Sequence, residues 1–249
     1  MRKPIIAGNW KMFKNAKETR AMLTELIPLV KEAAEREIVV CPPFIDIEPA
    51  VGVCKGTNVK IGSQNIFWEE KGAFTGEISP GMIKDSGCEY AIIGHSERRQ
   101  YFGETDATVN KRLNAALKVG LIPIVCVGET LEEREKNRTF EVIEKQLKGG
   151  LSGLLKEQAL KTVIAYEPVW AIGTGKTASP AQAQEVHAFI RKQLEGLFGK
   201  DVSSSIRILY GGSVKADNIK ELMSQEDVDG GLVGGASLEA AGFSKIINF

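Results

Sequence analysis

The sequence has little of what several protein classes require. It carries no net charge, because 32 Lys and Arg residues balance 32 Asp and Glu residues, which argues against nucleic acid or anionic lipid as its main partner. Its four cysteines are Cys41, Cys54, Cys88 and Cys126. They form no C-x-x-C pair, so we predict no metal site. No window approaches the ~18 apolar residues of a membrane span, and no signal peptide is evident. These absences favour a reduced, cytoplasmic protein.

What is present is typical of a soluble α/β protein. Of the 249 residues, 43% are hydrophobic and 26% are charged, close to the averages for globular domains. With ~150 residues per ordinary domain, the chain is short for two domains. We therefore predict one domain over residues 1–249.

Short apolar, β-branched runs alternate with longer amphipathic stretches, which is the pattern of βα units around a parallel sheet. The predicted strands are Ile5–Gly8, Ile38–Cys41, Val59–Gly62, Tyr90–Ile93, Ile122–Val127, Val163–Tyr166, Ile206–Tyr210 and Gly231–Val233. The predicted helices are Ala16–Glu35, Ile45–Cys54, Pro80–Ser86, Ala107–Val119, Leu131–Leu147, Pro180–Leu197, Asp217–Met223 and Leu238–Ile246. Eight units of about 31 residues predict a single (β/α)8 barrel. A doubly wound open sheet is the alternative, although it usually has fewer strands.

Polar residues and glycines follow nearly every predicted strand. They are Asn9 and Lys11, Gln64 and Asn65, His95 and Ser96, Glu129, Glu167, residues 211–213 and residues 234–235. In a closed barrel these residues meet on one rim, at the carboxyl ends of the strands, where barrel enzymes build their active sites. The pattern therefore predicts an enzyme.

Two short runs resemble motifs of nucleotide-binding proteins and of hydrolases. The run GTGKT at 173–177 fails the Walker pattern because Trp170 stands where a glycine is required, and its likeness to a dinucleotide fingerprint is weak. The run GHS at 94–96 resembles a nucleophile elbow, but Arg98 replaces its last glycine. We therefore expect neither nucleotide binding nor acyl-enzyme chemistry.

Two residues are candidates for acid–base work. His95 precedes a predicted helix start, which disfavours imidazolium, so a neutral imidazole could donate to a substrate carbonyl. His187 lies within an amphipathic helix pattern, which favours a structural or surface role. Glu167 ends the sixth strand and precedes an apolar segment with two glycines, which could close over substrate and raise the basicity of the carboxylate. A flexible connection is the alternative interpretation of that segment.

An anion site is predicted on the same rim. Lys11 could neutralise an anionic substrate, although an ordinary surface lysine is the alternative. The runs YGGSVK at 210–215 and VGGAS at 233–237 end the last two strands and lead into helices. Glycines there let backbone N–H groups approach an anion, so we favour phosphate over simple tight turns.

The runs GNWKM at 8–12, IIGHSERR at 92–99, CVGE at 126–129, AYEPVWAIGTGKTAS at 165–179, YGGSV at 210–214 and LVGGASL at 232–238 together resemble the triosephosphate isomerase family. The resemblance covers essentially the whole chain. It implies interconversion of dihydroxyacetone phosphate and D-glyceraldehyde 3-phosphate through an enediolate, with no cofactor and no metal. It also implies a place in glycolysis and gluconeogenesis.

The resemblance assigns roles to individual residues. Glu167 matches the base and His95 the electrophile. Asn9 and Lys11 match residues that bind substrate and stabilise the enediolate. The remaining matches are Glu97 and Cys126 in support, Gly173, Ser213, Gly234 and Gly235 at the phosphate, and residues 168–177 as the lid.

Members of this family are usually homodimers, and some are tetramers. The loop from Gln64 to Ser79, with Thr75 near its tip, matches the segment that reaches into the neighbouring subunit. Its apolar residues, which are Ile66, Phe67, Trp68, Ala73 and Phe74, are expected to be poorly placed in water on a monomer. Two other hypotheses stay open on the residues alone: another phosphosugar enzyme such as an aldolase, and a binding module without catalysis.

Overall fold

The computed structural model describes residues 2–172 and 177–249. Eight parallel strands form a closed barrel in sequence order, and the last strand pairs with the first. The strands are β1 (Ile5–Asn9), β2 (Glu37–Cys41), β3 (Val59–Ser63), β4 (Tyr90–Ile93), β5 (Ile122–Val127), β6 (Val163–Tyr166), β7 (Ile208–Tyr210) and β8 (Gly230–Val233). The predicted (β/α)8 barrel is confirmed, and the open sheet is not found.

Helices follow the strands along the chain. They are α1 (Ala16–Val30), α2 (Ile47–Cys54), α3 (Pro80–Asp85), α4 (Ser96–Tyr101), α5 (Asp106–Lys118), α6 (Leu131–Glu135), α7 (Thr139–Gly150), α8 (Lys156–Ala159), α9 (Pro180–Phe198), α10 (Lys200–Ser203), α11 (Ile219–Met223) and α12 (Ala240–Ile247). Ser79 and Ser179 cap α3 and α9 by accepting the N–H of the third helical residue, and a proline occupies the first turn of each.

Each strand is buried on both faces, so the core has two layers. Along β1, Ile5 and Ala7 belong to a cluster inside the barrel, while Ile6 belongs to the layer between the barrel and the helices. Successive side chains of a strand point to opposite faces, which explains this alternation. Asn9 continues the inward series of β1 and reaches the carboxyl end of the barrel.

Two predicted helices differ from the observed ones by more than two residues at an end. The predicted helix Leu131–Leu147 is wrong, because it is divided into α6 and α7 at Asn137, whose φ is 55°. No residue of α6 is buried, whereas α7 buries an apolar face, so the charged stretch between them lacks the packing that would hold one continuous helix. The helix predicted to reach Glu35 ends at Val30, where the chain turns to enter β2 at Glu37.

Candidate active site

The carboxyl ends of the strands surround a cavity of about 270 Å³. Its described lining residues are Asn9, Lys11, His95, Glu167, Ala171, Ile172, Gly211, Gly212, Ser213, Val214, Lys215, Leu232, Gly234, Gly235 and Ala236. The volume suits a small molecule of a few carbon atoms. Polar residues from β1, β4, β6, β7 and β8 therefore converge, although they are far apart in sequence.

A carboxylate and an imidazole meet at this cavity. Glu167 follows β6 and is 2% exposed, and its Oε1 lies 2.8 Å from His95 Nε2. The backbone N–H of Ser96 donates to Oε2 at 2.9 Å. Burial opposes ionisation of Glu167, but His95, Ser96 and Cys126 stabilise the carboxylate, so its pKa lies below the ordinary value. The carboxylate is ionised and ready to accept a proton.

His95 is the N-cap of α4, and its Nδ1 accepts the backbone N–H of Glu97 at 3.3 Å. A neutral imidazole in this setting carries its proton on Nε2, the nitrogen that faces Glu167. Burial disfavours imidazolium, but the Glu167 carboxylate outweighs burial and raises the pKa of His95. Removal of Glu167 from this contact takes that stabilisation away, whereas the Glu97 N–H continues to favour the neutral ring.

Lys11 is held in an uncommon backbone conformation beside this pair. Its φ is 53°, a region that non-glycine residues seldom occupy. Asn9 Oδ1 accepts the Lys11 N–H at 3.1 Å, and Gln64 Nε2 donates to the Lys11 carbonyl at 2.8 Å. The Lys11 ammonium lies 2.5 Å from Glu97 Oε1. These contacts fix a cation at the mouth of the cavity.

The loops after β7 and β8 supply the opposite wall. Ser213 and Gly212 follow β7, and Gly234 and Gly235 follow β8. A Cβ added at Gly235 would meet no atom within 4 Å, so this glycine faces open space at the cavity. A Cβ at Gly212 would lie 2.3 Å from the Tyr210 hydroxyl oxygen, so only glycine fits there. The wall therefore exposes backbone in the way that anion sites do.

The other residues singled out in the sequence have varied positions. Cys126 is buried beside Glu167, and burial together with that carboxylate raises the pKa of its thiol well above the ordinary value. Gly173 lies outside the described residues, as do residues 174–176 of the predicted lid. Thr75 is exposed and does not line the cavity. His187 is fully buried against the carbonyl of Asp227, which supports the structural interpretation.

The structure also shows contacts that the sequence analysis did not assign. Glu129 is fully buried, and its Oε1 accepts hydrogen bonds from Tyr166 at 3.1 Å and Trp170 at 2.9 Å. Arg134 of α6 lies 3.1 Å from the same oxygen. Glu129 thus ties the segment that begins at Pro168 to the barrel. Within residues 2–172 and 177–249, no group of three His, Cys, Asp or Glu side chains is placed to hold a metal ion.

Some apolar side chains of the loop after β3 are more buried than we expected from the sequence. Ile66 and Phe67 are buried within the chain, so the expectation that both are poorly placed in water on a monomer is wrong. Phe67 packs on Trp68 and Phe74, with a ring-centroid distance of 4.1 Å to the former and 4.8 Å to the latter. Phe74 remains 43% exposed.

The closed barrel, the buried carboxylate–imidazole pair and the glycine-rich wall together are typical of a (β/α)8 enzyme that acts on a small molecule. The sequence pattern of the family described as "Triosephosphate isomerase" matches residues 4–249. The chain belongs to the triosephosphate isomerase family and is an isomerase.

Individual relatives agree with this assignment. The chain is 59% identical over 249 residues to the triosephosphate isomerase of Citrifermentans bemidjiense and 60% identical to that of Moorella thermoacetica. Each alignment covers 100% of this chain and 99% of the relative. Among solved structures, the triosephosphate isomerase of Bartonella henselae superposes with a TM-score of 0.90 at 41% identity, covering 99% of this chain and 98% of that one.

Proposed function

We propose that the chain interconverts dihydroxyacetone phosphate and D-glyceraldehyde 3-phosphate through an enediolate. The observation that carries this proposal is the contact between Glu167 and His95 at a cavity with an anion-binding wall. A ketose–aldose isomerisation needs a base, an acid that polarises oxygen and a place for the phosphate. It needs no redox carrier, so we expect neither a cofactor nor a metal to take part.

In this proposal Glu167 removes the proton from the carbon beside the carbonyl. The electron pair of that C–H bond forms the carbon–carbon double bond of the enediolate, and the carbonyl oxygen takes the charge. Glu167 then returns the proton to the neighbouring carbon. A base positioned in this way contributes ~10² to 10⁴-fold to the rate. The buried and ionised carboxylate supports this role.

His95 acts on the two oxygens. Its Nε2–H donates to the oxygen on which charge develops, and the ring exchanges protons between the two oxygens. Since Nε2 contacts Glu167 Oε1 at 2.8 Å, a substrate oxygen that accepts the Nε2 proton must replace that contact. The His95 pKa then loses the larger of the two carboxylate influences that raise it, and the N–H of Glu97 continues to favour the neutral ring. Stabilisation of charge at the oxygens contributes a further ~10² to 10³-fold.

Lys11 and Asn9 bind the substrate and stabilise the enediolate, with Glu97 and Cys126 in support. The geometry that supports this is the fixed ammonium, the Asn9 side chain on the inward face of β1 and the two contacts of Glu97. Ser213, Gly234 and Gly235 bind the phosphate, supported by the open backbone of that wall. We also propose that Gly173 binds the phosphate and that residues 168–177 form the lid. These two roles rest on the family resemblance alone.

The assembly and the cellular setting are also proposals. We propose one domain over residues 1–249 that forms a homodimer, or a tetramer, through the loop that carries Thr75. Large apolar side chains in the loops after β1 and β3 and directly after α4 support an interface, since Met12 is 93% exposed, Phe74 43% and Phe102 67%. Four buried free cysteines fit a reducing cytoplasm. Among the described residues, no helix is both long and apolar enough to cross a membrane.

A coupled assay tests the reaction. Turnover of D-glyceraldehyde 3-phosphate to dihydroxyacetone phosphate by the purified chain, and its loss in Glu167→Gln, is the expected result. Glu167→Gln keeps the size of the side chain and removes the base. Condensation of D-glyceraldehyde 3-phosphate with a ketone donor to a longer sugar phosphate would support an aldolase instead, and phosphate binding without turnover would support a binding module. Wild-type rates in Glu167→Gln would remove that residue from the role of base.

Sedimentation tests the assembly. We expect dimers or tetramers at micromolar concentration, and fully active monomers would contradict the proposed interface.

A further inference from the structure

Lys215 lines the candidate active site, and neither the resemblance nor the proposed roles give it a function. It follows β7, two residues beyond Ser213, and it is exposed at the mouth of the cavity. Its backbone N–H donates to Asn218 Oδ1 at 2.8 Å, and Asn218 Nδ2 donates to the Ser213 carbonyl at 2.9 Å. The backbone of Lys215 is therefore tied to the proposed phosphate wall.

The charged groups around the cavity indicate that Lys215 contributes to the binding of an anion. Among the described lining residues, the ammonium groups belong to Lys11 and Lys215. Lys11 is already 2.5 Å from a Glu97 carboxylate oxygen, so much of its charge is compensated before substrate arrives. Within the ranges that the structure describes, Lys215 makes no ion pair, so its charge stays uncompensated there.

The negative charge of the proposed substrate also indicates a role for the Lys215 ammonium. A phosphate monoester carries close to two negative charges near neutral pH, with a second pKa of about 6. The cavity presents the Glu167 carboxylate, and Glu97 stands behind Lys11. Without Lys215 these charged groups are net negative when His95 is neutral. A dianion would then approach a region that repels it.

We propose that Lys215 is a binding residue for the dianionic substrate, which attracts the phosphate to the wall formed by the loops after β7 and β8. This inference rests on the proposed function and extends it to a further residue of the same site. Lys215 acts on the phosphate and not on the carbons that exchange a proton. Its effect is therefore specific to charged substrates and weakens as salt screens the attraction.

The size of the effect follows from screened Coulomb attraction. One ammonium and a dianion about 6 to 10 Å apart in a water-like medium attract enough to raise binding by about three- to sevenfold at ~10 mM ionic strength. At ~150 mM salt the same attraction falls to about twofold. Lys215→Met keeps the aliphatic stem and removes the charge. Lys215→Arg keeps the charge, and Lys220→Met removes a lysine that is exposed on α11 and does not line the cavity.

The experiment measures kcat/KM for D-glyceraldehyde 3-phosphate and for uncharged glyceraldehyde over a range of salt concentrations, together with the inhibition constant of inorganic phosphate. For Lys215→Met we expect the ratio of the two kcat/KM values to fall about three- to sevenfold at ~10 mM ionic strength and to approach wild type at high salt. The inhibition constant of phosphate should rise by a similar factor. Lys215→Arg and Lys220→Met should resemble wild type.

An unchanged ratio at low salt overturns the proposal, and so does an equal loss on both substrates, which would indicate a structural role. Thermal melting of each variant identifies any loss of fold. The proposed function is tested separately, because absence of turnover in the wild-type chain would refute it, whereas phosphate binding measured directly by calorimetry still reports on Lys215.

Discussion

Shortening the proposed base by one methylene is the sharpest perturbation that the site allows. In Glu167→Asp the carboxylate withdraws by ~1 Å from the position where it meets His95 and Ser96. The backbone cannot advance to compensate. The Glu167 N–H is held by the Val127 carbonyl at 2.7 Å, and its own carbonyl packs so closely on Gly128 that a Cβ there would lie 1.8 Å away.

A displacement of this size in the reacting geometry costs ~10²-fold in rate. That factor corresponds to an increase of about 2.7 kcal/mol in the activation free energy of the catalysed reaction. We expect kcat to fall by that factor while KM changes little, because the carboxylate acts on the transition state more than on bound substrate. The assay is steady-state turnover in both directions. Glu135→Asp, at an exposed position of α6, is the matched control and should leave the rate unchanged. Near wild-type kcat in Glu167→Asp, with the fold intact, would refute the reasoning.

Three further predictions concern Lys11, Gly212 and His187. Lys11→Met removes the fixed ammonium, and we expect kcat/KM to fall ~10²-fold or more in the turnover assay while Lys11→Arg recovers part of it. Gly212→Ala places a Cβ 2.3 Å from the Tyr210 hydroxyl and should lower both the melting temperature and the rate, whereas Gly196→Ala, in open space on α9, should lower neither. Burial lowers the pKa of His187 from 6.5 to about 4, so the unfolded chain binds the extra proton between these values. Stability from this group is complete above pH 6.5 and declines by up to about 3 kcal/mol as pH falls to 4; denaturation of His187→Gln should show a shallower acid slope.

The strands could be predicted closely because each of them is buried on both faces. A run such as Ile122–Val127 has to be apolar along its whole length, and the structure gives it the same bounds. Closure into a barrel then places polar residues that follow the strands on one rim, so convergence of Asn9, His95 and Glu167 could be predicted from the strand count and from their positions at the strand ends.

Features that depend on three-dimensional packing could not be predicted in the same way. The break at Asn137 depends on α7 burying an apolar face that α6 lacks. The burial of Ile66 and Phe67 depends on the path of a long loop, which hydrophobicity alone does not specify. The distance between Glu167 and His95 is set by how two strands lie in the closed barrel, and the strained backbone of Lys11 leaves no signal in its residue type.

The position of Lys215 was visible in the sequence, since it directly follows the run YGGSV. Its significance was not, because a lysine at a helix approach is usually an ordinary surface charge. Only the structure shows that it lines the cavity while Lys11 is already paired with Glu97.

The central claim is that a single carboxylate moves a proton between adjacent carbons, and isomerisation in D₂O tests it most directly. Conversion of D-glyceraldehyde 3-phosphate, followed by proton NMR, should give dihydroxyacetone phosphate that carries solvent deuterium at the carbon that received the proton, because the carboxylate of Glu167 exchanges its proton with solvent. A product that retains all of its original hydrogen, formed equally fast by Glu167→Gln, would indicate a hydride shift that needs no carboxylate and would contradict the account.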